Sequence, residues 1–231
     1  LLLFDEAALF SPLYIPMVYK IKNERLRDNM MQYIFINGLG QNASSWDKTI
    51  SFISKPARIF QPDLKGSTYA SLYQSFSDYC NDIPGTLNLC GLSLGAILAL
   101  NYTVENPEKV QSLVLIAAQY KMPKVLLKFQ NIIFRFMPKS SFKASGFQKR
   151  DFIKLTNSMI DLDFSKKLKD ISCPTLIICG EKDNENKKAA ENLFEGISNA
   201  KIHFVENAGH EVNIEAPEKL ATIFDAFWLE N

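Results

Sequence analysis

Gly91-Leu92-Ser93-Leu94-Gly95 sets a serine between two glycines, straight after the β-rich run TLNLC and straight before a helical stretch that opens at Leu94. A serine in that context sits on a tight strand-to-helix turn, its hydroxyl projecting above the sheet and the positive end of a helix dipole beneath it. The two glycines have a steric reason. Side chains two positions before or after such a turn collide with the adjoining strand and helix. The string alone is a weak signal, because a serine between turn glycines also serves as an ordinary helix cap. Its placement carries the argument, and it makes Ser93 a candidate nucleophile.

A nucleophilic serine needs a base to take its proton, and the chain offers two histidines. His203 lies inside the apolar alternation KIHFVE and reads as a strand residue on one face of a sheet. His210 lies in ENAGHEVNIEAPE, a turn-rich loop between the last strand and the last helix, and is the candidate base. A carboxylate should hold the imidazole in one tautomer and stabilise its cation. PTLIICGEKDN places Asp183 just beyond a strand end, with Gly180 opening the turn. Glu181 stands nearer the strand and is the alternative; a loop side chain that reaches a site must clear the strand end, which favours Asp183.

The elements that must position these groups are short apolar runs with helical segments between them. The runs are Met31 to Ile36, Ala57 to Phe60, Thr86 to Cys90, Val110 to Ala117, Thr175 to Cys179 and Ile202 to Val205. That alternation predicts a mostly parallel sheet with helices on both faces. An earlier strand is expected in LYIPMVYKIK, where Pro16 suits an edge or a bulge. Leu94 to Glu105 reads as a buried helix ended by Asn106 and Pro107, and Pro217 to Leu229 as an amphipathic helix with proline in its first turn. The rhythm breaks once, at about 119–171, where two or three helices replace one crossover. Such an insertion lies over the carboxyl ends of the strands, where open α/β sheets place their sites.

The bulk numbers narrow the classes. A chain of 231 residues, 47% hydrophobic, reads as one domain over 1–231. With 26 basic and 25 acidic side chains, it has no overall field to hold nucleic acid or another polyanion. Cys80, Cys90, Cys173 and Cys179 form no CxxC pair and read as reduced, mostly buried thiols. The opening LLLFDEAALF, interrupted by Asp5 and Glu6, does not read as a leader or an anchor, so a cytoplasmic location is expected.

Taken together, the chain resembles the α/β-hydrolase superfamily, in particular its small capped esterase, lactonase and C–C hydrolase branch. The resemblance runs from about Tyr33 to Trp228 and rests on INGLGQNASSWD, FQPDLKG, LCGLSLGAILAL, ENPEKVQSLVLIAA, LKDISCPTLIICGEKD and VENAGHEVNIEAPEKLATIFDAF. The order Ser93, Asp183, His210 is that of α/β-hydrolases and differs from the trypsin and subtilisin orders. The resemblance implies a mostly parallel eight-stranded sheet with a small helical cap, and no metal or organic cofactor is expected, since an acyl-enzyme route is complete without one. It makes Leu39 and Leu94 the oxyanion-hole residues, acting through backbone N–H groups. Three positions depart from the family pattern. Asn37 and Gly38 replace the usual His-Gly, Ala96 replaces the third elbow glycine, and PDLKGST shortens a turn in which Asp63 reads as structural.

The expected reaction is hydrolysis of a small, largely apolar carboxylic ester, thioester or lactone through an acyl-enzyme. A C–C bond hydrolase or lyase using the same triad is the runner-up, and a ligand receptor or scaffold on the same fold is the non-enzyme alternative. Serine rather than aspartate at the elbow argues against a haloalkane dehalogenase or epoxide hydrolase. Substrate choice should fall to the insertion, where residues 119–154 hold nine basic residues against one acid, Asp151. Within it, Leu126, Phe129, Ile133 and Phe136 recur at helical spacing and are the candidate substrate-binding face. The opposite face is basic, which suits solvation and also weak contact with anionic lipid.

Overall fold

The computed structural model describes residues 31–54, 58–62, 66–122, 124 and 149–230. These residues hold six strands: β1 (Gln32–Ile36), β2 (Arg58–Phe60), β3 (Leu87–Leu92), β4 (Val110–Ile116), β5 (Thr175–Gly180) and β6 (Ala200–Val205). Each of the six apolar runs forms a strand within one or two residues of its expected ends. The strand expected around LYIPMVYKIK lies outside the described residues, so six strands stand against the eight expected.

All six pair in parallel, in the order β2-β1-β3-β4-β5-β6. Parallel pairing obliges each connection to cross over the sheet. Among the described residues these crossings include helices α1 (Asp47–Ser51), α2 (Tyr69–Asp82), α3 (Leu94–Glu105) and α5 (Lys187–Gly196). Helix α4 (Lys149–Ser158) lies between β4 and β5, in the segment expected to be an insertion, and α6 (Val212–Glu215) and α7 (Pro217–Glu230) close the fold.

Strand alternation sends side chains to two separate cores. Ile34 and Ile36 join Leu89, Leu113 and Ile177 under α2, α3 and α5, while Tyr33 and Phe35 face α7 and Trp46 on the other side. The second core is aromatic at its centre: Phe35 lies 5.2 Å from Trp46 and 5.9 Å from Phe224, ring centre to ring centre. Because both faces are covered, β1, β3 and β5 are buried along their whole length, as near-continuous apolar runs require.

After β1 the chain runs outward to β2, then returns across β1 to β3. The loops after β1 and β3 therefore leave in opposite directions and open a crevice above the sheet. All the strands being parallel, the loops after β1, β3, β4, β5 and β6 emerge along one edge. Between β4 and β5 the chain is pinched into a neck by an isolated antiparallel bridge, in which Lys121 pairs with Asp163, Met122 N–H donates to the Leu162 carbonyl (3.0 Å) and Phe164 N–H donates to the Tyr120 carbonyl (2.8 Å).

Candidate active site

Ser93 stands between β3 and α3 with φ 54° and ψ −112°, a conformation that L-residues rarely adopt. Packing enforces it. A Cβ at Gly91 would stand 2.3 Å from the Gly95 carbonyl oxygen, and one at Gly95 would stand 2.3 Å from the Ile36 carbonyl oxygen. Neither backbone can retreat, because β1 and β3 are paired and α3 is packed on both. The Ser93 N–H is spent on Ile116 of β4 at 2.8 Å, which fixes the turn to the neighbouring strand. Holding a serine there costs about 1–3 kcal/mol, a strain typical of functional positions.

The Leu39 turn lies beside this elbow. A Cβ at Gly38 would come within 2.7 Å of Leu92 Cδ2 and 3.6 Å of Ser93 Cβ. The turn closes through Gln41 N–H to the Gly38 carbonyl at 3.1 Å, with Gly40 at φ 91°, where a glycine is favoured. That bond leaves the Leu39 N–H unspent by the turn. Leu94 is the first residue of α3, so helical geometry gives its N–H no intrahelical acceptor. Asn37, where the family pattern has histidine, donates to the Gln41 carbonyl at 2.9 Å and braces the same turn.

His210 and Asp183 meet. Nδ1 of His210 lies 2.8 Å from Oδ2 of Asp183, and because a carboxylate only accepts, Nδ1 carries the proton and Nε2 is left as the basic nitrogen. Burial works against the Asp183 charge, but hydrogen bonds from His210 and Asn186 and the His210 charge together hold its pKa below the ordinary value. The bond to Asp183 raises the His210 pKa; burial opposes this, while the charges of Asp183, Glu211 and Glu185 add to it. Glu181 is exposed and turns away, accepting from the Asn207 N–H at 3.0 Å. His203 lies exposed on β6.

Five side chains that no sequence motif singles out hold these loops. Asn186 Nδ2 donates to both Asp183 oxygens, at 2.9 and 2.8 Å, and its Oδ1 accepts from Gln119 Nε2 at 2.8 Å. Asparagine at a helix entry reads as a cap, yet Asn186 makes no side-chain cap bond. Glu215 reaches back from α6 to the N–H groups of Gly209 (2.7 Å) and Glu211 (3.1 Å), the two neighbours of His210. Gln41 and the fully buried Asn213 exchange amide hydrogen bonds at 3.2 and 3.1 Å, and Gln41 also donates to Glu211 at 2.9 Å. The Leu39 turn is thereby tied to the His210 loop across 172 residues of sequence. The spacing carries no sign of these pairs.

The four cysteines are buried and unpaired in disulfides. Burial first, and the Asp183 charge second, push the Cys179 thiol up to about 12, so it stays protonated beside the carboxylate. No group of three or more metal-ligating side chains occurs among the described residues. Leu126, Phe129, Ile133 and Phe136 lie outside the described residues, as does Asp63.

Residues 33–223 match the model of the alpha/beta hydrolase family. The chain is 22% identical to an (E)-2-((N-methylformamido)methylene)succinate hydrolase of Acinetobacter baylyi, over 85% of this chain and 89% of that protein. It is 23% identical to a pimeloyl-[acyl-carrier protein] methyl ester esterase of Nitrosomonas europaea, covering 84% of this chain and 94% of that one. Among solved structures it is similar to the enol-lactonase of Burkholderia xenovorans, with a TM-score of 0.74 at 17% identity over 87% of this chain and 92% of that chain.

Proposed function

The chain belongs to the alpha/beta hydrolase family, and from that premise we propose that it is a serine hydrolase of small, largely apolar carboxylic esters, thioesters or lactones. The observation that carries this reading is the 2.8 Å bond between His210 Nδ1 and a buried, ionised Asp183, with a strained serine on the same edge of the sheet. Ser93 Oγ attacks the carbonyl carbon as His210 Nε2 takes its proton. The carbonyl oxygen becomes an oxyanion facing the N–H groups of Leu39 and Leu94, where the α3 dipole adds to the stabilisation. His210 then passes the proton to the departing alcohol, thiol or ring oxygen, leaving an acyl-serine. Water, deprotonated by the same nitrogen, releases the acid and restores Ser93. Asp183 holds the tautomer and stabilises the imidazolium, and the reaction balances without any further reagent.

The substrate range is supported by the relatives' names, an esterase and an enol-lactonase among them. The test is fluorophosphonate labelling joined to a panel of esters, thioesters and lactones of increasing acyl length, run beside Ser93→Ala. The expected result is labelling of Ser93 and loss of up to about a million-fold in kcat for the alanine variant. Turnover that survives Ser93→Ala would overturn the assignment.

A further inference from the structure

Two amide side chains stand behind the acid, and nothing in the acyl-transfer chemistry uses them. Asp183 and Asn186 are each only 7% exposed, so the carboxylate depends on protein donors for the lone pairs that His210 leaves. Asn186 supplies one nitrogen to both oxygens, at 2.9 and 2.8 Å, and the same nitrogen lies 3.2 Å from His210 Nδ1. Both nitrogens carry protons there, so that last approach is a contact and not a bond.

The amide is held in one orientation from outside. Gln119 Nε2 donates to Asn186 Oδ1 at 2.8 Å, and a flipped Asn186 would set its oxygen against the carboxylate and its NH2 against the Gln119 donor. Gln119 lies three residues past the end of β4 and directly before the neck at 120–122 and 162–164 on which the insertion stands. An unbroken line of donors and acceptors therefore runs from the root of the insertion through Asn186 and Asp183 to the imidazole.

We propose that Asn186 is a positioning residue for the Asp183–His210 pair, and that Gln119 acts through it to set the acid from the root of the insertion. The inference deepens the serine-hydrolase reading and rests on it for its kinetic consequence. Without the Asn186 amide, negative charge concentrates on the carboxylate that faces the imidazole. The imidazolium is then favoured, alongside the other carboxylates that act on it, Glu211 and Glu185. His210 should therefore titrate at higher pH in Asn186→Leu, and the acid limb of kcat/KM should move the same way. The same bond also fixes the carboxylate's orientation and is worth about tenfold or more in an equilibrium, so its loss lets the Asp183–His210 pair leave the reactive geometry, and kcat above that limb should fall by about tenfold while KM changes little. Gln119→Met should give a smaller change of the same sign.

The decisive measurement is a double-mutant cycle read in two ways. The chain has two histidines, so the ring protons of His210 can be followed by NMR against pH in the resting protein, with His203→Gln assigning the pair. The pH dependence of kcat/KM on one ester is measured for the same four proteins, with thermal melts to show that each is folded. If Gln119 works only through Asn186, Gln119→Met changes nothing further in the Asn186→Leu background. A His210 titration in Asn186→Leu that matches the wild type would overturn the proposal, as would an equal loss from Gln119→Met in both backgrounds. Should fluorophosphonate fail to label Ser93, the serine-hydrolase reading falls, while the NMR titration still decides the role of Asn186. If Asn186→Leu does not fold, the titration of Gln119→Met, at a half-buried position, decides in its place.

Discussion

At the scale of single residues, the imidazole carries the clearest consequence. In the proposed mechanism His210 must be neutral at Nε2 to accept the Ser93 proton, and its pKa is raised above the ordinary value by its bond to Asp183. Activity should thus fall as pH drops through that raised pKa, giving an acid limb above the ordinary histidine range near 6.5. Asp183→Asn removes the main cause, so its limb should move to lower pH. The amide also offers an N–H where the imidazole N–H needs an acceptor, and by analogy with the serine proteases kcat should drop on the order of 10⁴-fold. A pH profile of kcat/KM for the two proteins checks both. An acid limb that stays in place on loss of Asp183 would dissociate His210 from the rate. Ser93 and His210 were readable as candidates from short-range signals, two glycines around one and a turn-rich loop around the other. The choice of Asp183 over Glu181 was only favoured, because both sit in the same strand-end loop and differ in where the side chain points.

At the scale of elements, the site is a set of loops held at fixed distances by side-chain clamps. The short helix α6 returns Glu215 to the N–H groups on either side of His210, at 2.7 and 3.1 Å. A Cβ at Gly180 would stand 2.0 Å from the Gly209 carbonyl oxygen, so the same loop presses on the end of β5 and has no slack on that side. Glu215→Ala should free the loop, lower kcat by about tenfold and leave two amides exposed, since bonds to a charged acceptor are worth about 1.5–3 kcal/mol. Glu215→Gln, which keeps one acceptor, should recover part of the loss. Stopped assays together with hydrogen exchange at Gly209 and Glu211 would show this, and unchanged exchange in the alanine variant would remove the clamp from the account. The strands themselves were legible within a residue or two, because period and composition report burial directly. The clamps were not: each joins an ordinary polar side chain to a partner that folding alone brings near.

At the scale of the whole molecule, charge is segregated rather than large. The formal net charge is +1, yet residues 119–154 hold nine bases against one acid. The structure answers part of that excess from just outside the segment. Lys121 pairs with Asp163 at 2.9 Å and Lys124 with Asp161 at 2.6 Å, all four well exposed, so solvent screens both pairs and they add little to stability. No helix among the described residues is long and apolar enough to cross a membrane. If the remaining bases touch anionic lipid, as the sequence suggests, the protein should float with vesicles containing anionic phospholipid and not with zwitterionic ones. Binding should fade on the order of 0.5 M salt, where screening acts within a few ångströms. Failure to float at low salt would leave these bases as solvated side chains.

The sequence by itself determined the sheet's strands, the strained turn at Ser93 and the side of the sheet on which the reactive groups would emerge. Each follows from local sterics or from a repeat of two or 3.6 residues, and such signals are complete within about ten positions. Only the tertiary structure decided that Asp183 and not Glu181 meets His210, that Asn37 braces the Leu39 turn, and that Gln119, Asn186, Glu215, Gln41 and Asn213 hold the loops together. Those contacts link residues as far as 172 apart. Amides and carboxylates carry the same local preferences whether they face water or a buried partner, so their pairing is settled by which loops the parallel sheet brings to a common edge.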